Sequence, residues 1–197
     1  MFNRRFVAGL PLLALFAATI ILSACSINVD KDKDKDGAKH VDIQSPMGDL
    51  HVSENADIRD SGLSVYPGAT PAPKDNSDDE KSANVNLSLP GFSLKVVAAE
   101  FLSNDAPDKV IAYYNKELQK YGKPIQCQGG WHVNSSHEGN DMSKPVSCDK
   151  SDEKGDSLEL KVGTEGNQHV VSVKPNSKGS RFALVFVRMH SGSDKTI

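Results

Sequence analysis

The sequence lacks an excess of charge of either sign. Lysine and arginine number 23, aspartate and glutamate number 26, and the formal net charge of the 197-residue chain is −3. The acidic and basic residues are interleaved along most of the chain. Because binding to a nucleic-acid backbone depends on a concentrated basic surface, this composition argues against nucleic acid as a partner.

Recognisable catalytic motifs are also missing. The sequence contains no glycine-rich phosphate-binding loop and no G-x-S-x-G nucleophile turn. The nearest approach to a catalytic cluster is Ser135-Ser136-His137-Glu138, in a stretch rich in Gly, Asn and Ser. Residues adjacent in sequence rarely adopt the geometry of a catalytic triad, so a polar loop is the simpler interpretation. We expect a non-enzymatic protein that needs no cofactor.

Cysteine is scarce, with three residues in the whole chain. Cys127 and Cys148 form a pair once Cys25 is set aside, and we expect them to form a disulfide in an exported protein. On the chain-entropy account, closing this loop stabilises the fold by about 3 kcal/mol. Zinc is the alternative, because Cys127, His132, His137 and Cys148 supply ligand types that zinc takes. Their spacing matches no familiar zinc-finger pattern.

Long apolar runs are absent except at the N-terminus, where residues 6–24 follow two arginines. That length would permit a membrane-spanning helix, but the small residues and the cysteine at its end favour an export signal. The closing residues, Leu22-Ser23-Ala24-Cys25, resemble the lipobox of bacterial lipoproteins. The resemblance implies that residues 1–24 are a signal peptide, cut before Cys25, and that the Cys25 thiol is lipidated.

Lipidation of Cys25 would place the mature protein on a membrane. Stable anchoring takes two or more membrane signals, and a diacylglyceryl cysteine carrying palmitate-type chains meets that requirement. The next residue is Ser26, which resembles the outer-membrane default of Gram-negative lipoproteins, whereas Asp favours retention at the inner membrane. The resemblance therefore implies a lipid-anchored protein of the bacterial cell envelope, at the outer membrane and facing the periplasm.

The segment 25–40 is highly charged, and its central part reads Asp30–Gly37, DKDKDKDG. Alternating charges with little apolar surface predict a disordered, solvated tether. A calcium loop is the alternative, because Asp32, Asp34 and Asp36 match the first three ligand positions of the D-x-D-x-D-G pattern. The match fails at position 12, where Ile43 replaces the bidentate Glu, so we treat this calcium site as a weak candidate.

Residues 41–62 predict a β-hairpin-like segment, because apolar residues alternate on both sides of Pro46-Met47-Gly48. Val41–Val52 has a faint similarity to one repeat of a bacterial adhesin β-solenoid family. One repeat cannot bury its own apolar face, so the hairpin packs on the main domain, packs on a partner chain, or stays loose. Residues 63–82, rich in Pro and Asp from Pro67 onward, predict a linker or loop.

Residues 83–190 predict an α+β domain, and 191–197 a C-terminal tail. Asp105 is the expected helix cap, Pro107 suits the first turn, and Gly122 and Pro124 end the helix. Its expected apolar stripe is Val110, Ile111, Tyr114, Leu118 and Tyr121. Strand-like patterns cover 84–89, 92–101, 125–133, 145–149, 158–162 and 170–173. Residues 182–187 are almost all apolar and predict a central strand covered on both faces. We therefore expect one amphipathic helix packed on a mostly antiparallel sheet.

Three stretches resemble a group of bacterial envelope lipoproteins of uncharacterised activity: Tyr66–Ala69, Ala106–Tyr114 and Lys120–Gly122. The similarity covers residues 63–190 and brings no mechanism with it. Two functions stay open at this point. One is an interaction or structural module of the envelope, with a protein partner. The other is a small-ligand or lipid-binding lipoprotein with a pocket between helix and sheet.

Overall fold

The computed structural model describes residues 26–28, 40–54, 56–73, 82–128, 141–148 and 156–192. These residues form one antiparallel sheet of ten strands and one α-helix, α1, at Pro107–Leu118. The strands are β1 Ser26–Asn28, β2 His40–Ser45, β3 Gly48–Ser53, β4 Thr70–Pro71, β5 Ser82–Leu89, β6 Phe92–Ser103, β7 Ile125–Gln128, β8 Leu158–Thr164, β9 Asn167–Asn176 and β10 Gly179–Ser191. The predicted α+β class, with a helix on an antiparallel sheet, is confirmed.

The strands follow the order β1-β2-β3-β5-β6-β10-β9-β8-β7, with β4 pairing to the last residues of β6. The two longest strands, β6 and β10, pair with each other from Ser103–Ser180 to Phe92–Ser191. Every neighbouring pair is antiparallel. As expected, residues 182–187 lie in a central strand, flanked by β6 and β9.

Helix α1 buries the predicted stripe of apolar side chains against the sheet. Val110, Tyr114 and Leu118 are fully buried, and Ile111 is nearly so, whereas Tyr121 lies beyond the helix in a 3₁₀ turn and is 37 % exposed. The expected cap is wrong in detail. Asp105 makes no bond to the helix N-terminus, and Ala106 is the capping position. The Asp105 carboxylate instead accepts hydrogen bonds from the Tyr66 hydroxyl at 3.0 Å and the Lys109 ammonium at 2.7 Å.

The hydrophobic core lies between α1 and the middle of the sheet. Its sheet-side members come from β6, β8, β9 and β10, and its centre is Phe182, which stacks on Phe101 with 5.5 Å between ring centroids. Tyr114 packs on Phe182 at 5.6 Å. Because alternate residues of each strand face the helix, only one face of the sheet contributes to this core.

Residues 63–73, predicted as part of a linker, belong to the core instead. Leu63 and Ala72 are buried, and Tyr66 lies edge-on to Tyr113 at 5.1 Å. Within the segment, β4 extends the sheet by pairing Thr70 with Leu102. The apolar side chains and the backbone pairing both hold the segment in place, so the Pro and Gly residues around them shape turns and do not signal a linker. The rest of that prediction, 74–81, lies outside the described residues.

The predicted hairpin at 41–62 is part of the same sheet. Strands β2 and β3 form its two arms, and β3 pairs with β5 from Asp49–Ser88 to Ser53–Asn84. The predicted tether also needs correction at its start, because Ser26–Asn28 form β1 and pair with Asp42–Gln44 of β2. Of that tether, 29–39 lies outside the described residues. The remaining predicted segment boundaries stay predictions.

The buried Tyr114 hydroxyl ties the segment that carries Ser64 and Tyr66 to the helix. It donates to the Ser64 carbonyl at 3.1 Å and accepts from the Tyr66 N–H at 3.0 Å. Burial raises the pKa of Tyr114 above its usual range, so the hydroxyl keeps its proton at all ordinary pH values. Removing it would leave the Tyr66 N–H and the Ser64 carbonyl, which are partly shielded from solvent, without this partner.

We predict that Tyr114→Phe lowers the free energy of unfolding by about 1 to 3 kcal/mol, because it removes two hydrogen bonds that each contribute about 0.5 to 1.5 kcal/mol. Urea unfolding followed by circular dichroism measures the change. The matched control is Tyr113→Phe, since the adjacent ring is half-buried and its hydroxyl has no hydrogen bond within the described part of the chain. That variant should change stability by less than about 0.5 kcal/mol. Equal effects of the two variants would contradict the assignment.

Candidate functional site

The face of the sheet opposite α1, here called the outer face, carries two rows of aliphatic side chains. Directly paired residues lie on the same face, and the register of five strands aligns apolar residues with apolar residues. One row is Ile43–Leu50–Leu87–Leu94–Met189, and the other is Val41–Val52–Val85–Val96–Val187. We call these ten residues the outer-face patch. With strands about 4.8 Å apart, it is roughly 20 Å across.

The patch side chains are half-buried and remain apart from the core. All ten have intermediate exposure, and none belongs to the core cluster or to the apolar side chains packed against that cluster. On the helix-side face of the same strands, the matching row is polar: Asp42–His51–Asn86–Lys95–Arg188. In the part of the sheet that carries the patch, therefore, the apolar side chains of each strand point away from the helix-side face and the polar side chains point toward it.

The outer face changes character toward β8 and β9, where it is covered. Val170 and Val185 are at most 5 % exposed, and the Glu159 side chain is completely buried. Its Oε2 lies 3.2 Å from the Lys161 ammonium, two residues along the same strand, whose side chain is 9 % exposed. A largely buried ion pair next to a half-exposed aliphatic surface marks the limit of the patch on this side.

A second ion pair lies on the outer face near the far ends of β6 and β10. Arg181 donates from Nε to a Glu100 carboxylate oxygen at 2.9 Å, and the two residues are diagonal neighbours on adjacent strands, two register positions apart. Their side chains are 24 % and 34 % exposed, respectively. This pair is accessible to water, in contrast to Glu159 and Lys161, and the paired residues Ala98 and Val185 separate it from the patch.

A ligand pocket between helix and sheet is not formed by the described residues, since that space is filled by buried side chains such as Tyr114, Phe182 and Leu184. A cavity of about 200 Å³ lies elsewhere, at the end of the sheet where β6 stops and β9 turns into β10. Most of its lining is polar and includes Thr70, Ser103, Asn104, Asn176 and Lys178. It lacks the apolar walls that lipid binding requires.

The two cysteines predicted to pair lie at disulfide distance. Their Cα atoms are 5.4 Å apart, and the bond joins Cys127 of β7 to Cys148. The other predicted site residues lie outside the described residues. They are the lipidation site Cys25, the calcium candidates Asp32, Asp34 and Asp36, the zinc candidates His132 and His137, and the polar cluster 135–138. Within the described ranges, no three His, Cys, Asp or Glu side chains are grouped as a metal site.

His169 is a structural residue of the core. Its Nε2–H donates to the Ser61 carbonyl at 2.8 Å, and its ring stacks on Tyr121 with 3.8 Å between centroids. Burial lowers the pKa of His169, which favours the neutral ring. His51, in contrast, lies beside Asp42 at the half-exposed polar row. Neither histidine faces a nucleophilic side chain among its described contacts.

Comparison of the chain with protein-family models, curated proteins and solved structures finds no match. Among the described residues, no helix has the length and apolar content to cross a bilayer.

The outer-face patch was missed at the sequence level, although its strands were predicted. The alternation of apolar and polar residues at 41–52 and 84–98 predicts strands with one apolar face and one polar face. It does not determine which of these faces the helix covers.

We predict that Glu159→Gln destabilises the fold by about 3 to 5 kcal/mol, because it removes the negative charge from a buried ion pair. The matched control is Glu100→Gln, which removes the same group from the half-exposed pair with Arg181 and should cost about 0 to 1 kcal/mol. Urea unfolding at pH 7 measures both.

The double variant Glu159→Gln/Lys161→Met should recover most of the loss, since it removes both charges. Similar losses for Glu159→Gln and Glu100→Gln would show that the β8 pair is solvated and that the outer face is open there as well.

Proposed function

We propose that this chain is a non-enzymatic, lipid-anchored protein of the bacterial cell envelope that binds a protein partner through the outer-face patch. The observation that carries the binding role is the alignment of ten half-exposed aliphatic side chains across five strands. Contiguous exposed apolar surface is rare on soluble monomers and marks interaction sites.

The anchoring role rests on the N-terminal sequence. Two arginines, an apolar run and Leu22-Ser23-Ala24-Cys25 occur in the order and spacing of a lipoprotein signal. The paired Cys127 and Cys148 agree with an oxidising compartment, where disulfides persist. An outer-membrane position facing the periplasm follows from Ser26 as the residue after the cysteine.

The anchor is tested by intact mass spectrometry of the protein expressed in a Gram-negative host. We expect loss of residues 1–24, added mass from acyl chains at Cys25, and a two-proton deficit for the Cys127–Cys148 bond. Cys25→Ala should shift the protein from the membrane fraction to the soluble fraction. A product that keeps residues 1–24 and carries no acyl group would refute the proposed anchor.

The binding role is tested by photo-crosslinking in intact cells. A benzophenone amino acid replaces Leu50 in the patch or, as the matched control, His51, its neighbour on the opposite face of β3. Both residues are half-buried. We expect one discrete protein adduct from position 50 and none from position 51. Identical patterns from the two positions, or no adduct from position 50 of a membrane-anchored protein, would contradict the proposed interface.

A further inference from the structure

The residue that follows the proposed lipid attachment site lies at one particular end of the sheet. Ser26, the residue directly after Cys25, pairs with Gln44 at the end of β2. Gln44 leads into the β2–β3 turn at Pro46-Met47. Consecutive Cα atoms are about 3.8 Å apart, so acyl chains on Cys25 would enter the bilayer beside this turn. The opposite end of β1, Asn28, leads into the charged run that begins at Asp30.

A second turn lies at the same end of the sheet. Strand β5 ends at Leu89, opposite Phe92 at the start of β6, with Pro90-Gly91 between them. The two turns are in direct contact, because a Cβ at Gly48 would lie 2.7 Å from the Leu89 Cδ2 atom. We call the surface formed by Gln44–Gly48 and Ser88–Ser93 the turn surface.

The turn surface is uncharged and presents apolar side chains. Neither of its two segments contains an ionisable residue, in a chain of which 25 % is charged. Met47 is 72 % exposed and Leu89 is 43 % exposed, which makes them two of the most exposed large apolar side chains in the described part of the chain. Two ionisable residues, Asp49 and His190, flank the turn surface on the helix-side face, in the row that also contains its Ser88 and Ser93.

Hydrogen bonds hold both turns in place. The Ser45 hydroxyl donates to the Gly48 carbonyl at 2.9 Å and accepts from the Met47 N–H at 3.2 Å. The Gly192 N–H, just beyond β10, donates to the Gly91 carbonyl at 2.6 Å. The exposed apolar side chains are therefore presented by ordered turns, and contact with a bilayer would require little further ordering.

We infer that the turn surface lies on the bilayer that holds the lipidated Cys25, with Met47 and Leu89 in contact with lipid. This inference rests on the proposed anchor and adds an orientation to it. The bilayer is the favoured occupant because the anchor leaves the fold at this end and because the surface lacks charges that would be costly to desolvate. The apolar tips then supply a further membrane signal beside the acyl chains.

The experiment measures the depth of a spin label in reconstituted protein. The full chain, expressed with its own signal and purified in detergent, carries Met47→Cys labelled with a nitroxide and is reconstituted into phosphatidylethanolamine/phosphatidylglycerol vesicles. Relative accessibility to oxygen and to a water-soluble nickel complex should place the label about 5 to 10 Å below the headgroup boundary. Leu89→Cys is the second variant and should give a similar depth.

The control is Ser177→Cys, an exposed position in the β9–β10 turn at the opposite end of the sheet. Its label should remain in water. If the labels at 47 and 177 are equally accessible in acylated, vesicle-bound protein, the orientation is overturned while the anchor stands. Protein that carries no acyl chain and stays off the vesicles overturns both. Shielding at 47 that grows with protein concentration at fixed lipid would assign the surface to a second copy and overturn the bilayer contact.

Discussion

The register between β6 and β10 is the constraint on which the rest of the structure depends. These strands pair over twelve consecutive positions, from Ser103–Ser180 to Phe92–Ser191. Twelve residues of strand extend over about 40 Å, whereas the twelve residues of α1 extend over about 18 Å. One helix therefore cannot cover the sheet that these strands organise. One half of each long strand contributes side chains to the core beneath the helix. In the other half, the apolar side chains lie on the face that the helix does not cover.

The alternation of side chains then determines what each half of the sheet presents. Toward β8 and β9, the helix-side residues Val171, Leu160 and Phe182 are buried beneath α1. Toward β2 and β3, the helix-side row begins with Asp42 and His51, and the aliphatic side chains point the other way. A slip of one residue in any pairing would exchange these faces. The outer-face patch is thus a consequence of the same register that builds the core.

Sequence periodicity predicted the helix and most of the strands, but it did not predict the tertiary contacts between them. Helix α1 and strands β8 to β10 follow from local spacing, because each buries a continuous stripe or an alternate set of side chains. Residues 63–73 could not be placed in this way. Leu63 and Tyr66 pack into the core, but Pro67 and Gly68 dominate the local pattern, and the contact of Tyr66 with Asp105 is distant in sequence. Asp105 was expected to cap the helix, but the same distant contact engages its carboxylate. The patch depends on which face the helix covers, and that is decided by tertiary packing.

The position of the patch in the sheet limits what its partner can be. Its Ile43–Met189 row begins two residues from Ser45 at the turn end, and the Val41–Val187 row is two residues further along the strands, about 7 Å at the rise of a strand. With the turn surface against the bilayer, both rows face the layer just above the headgroups. Under the proposed anchor, a partner that contacts them would approach along the membrane, because the patch lies close to the end of the sheet where Ser26 pairs and not at the far end. Another protein of the same membrane would meet this requirement.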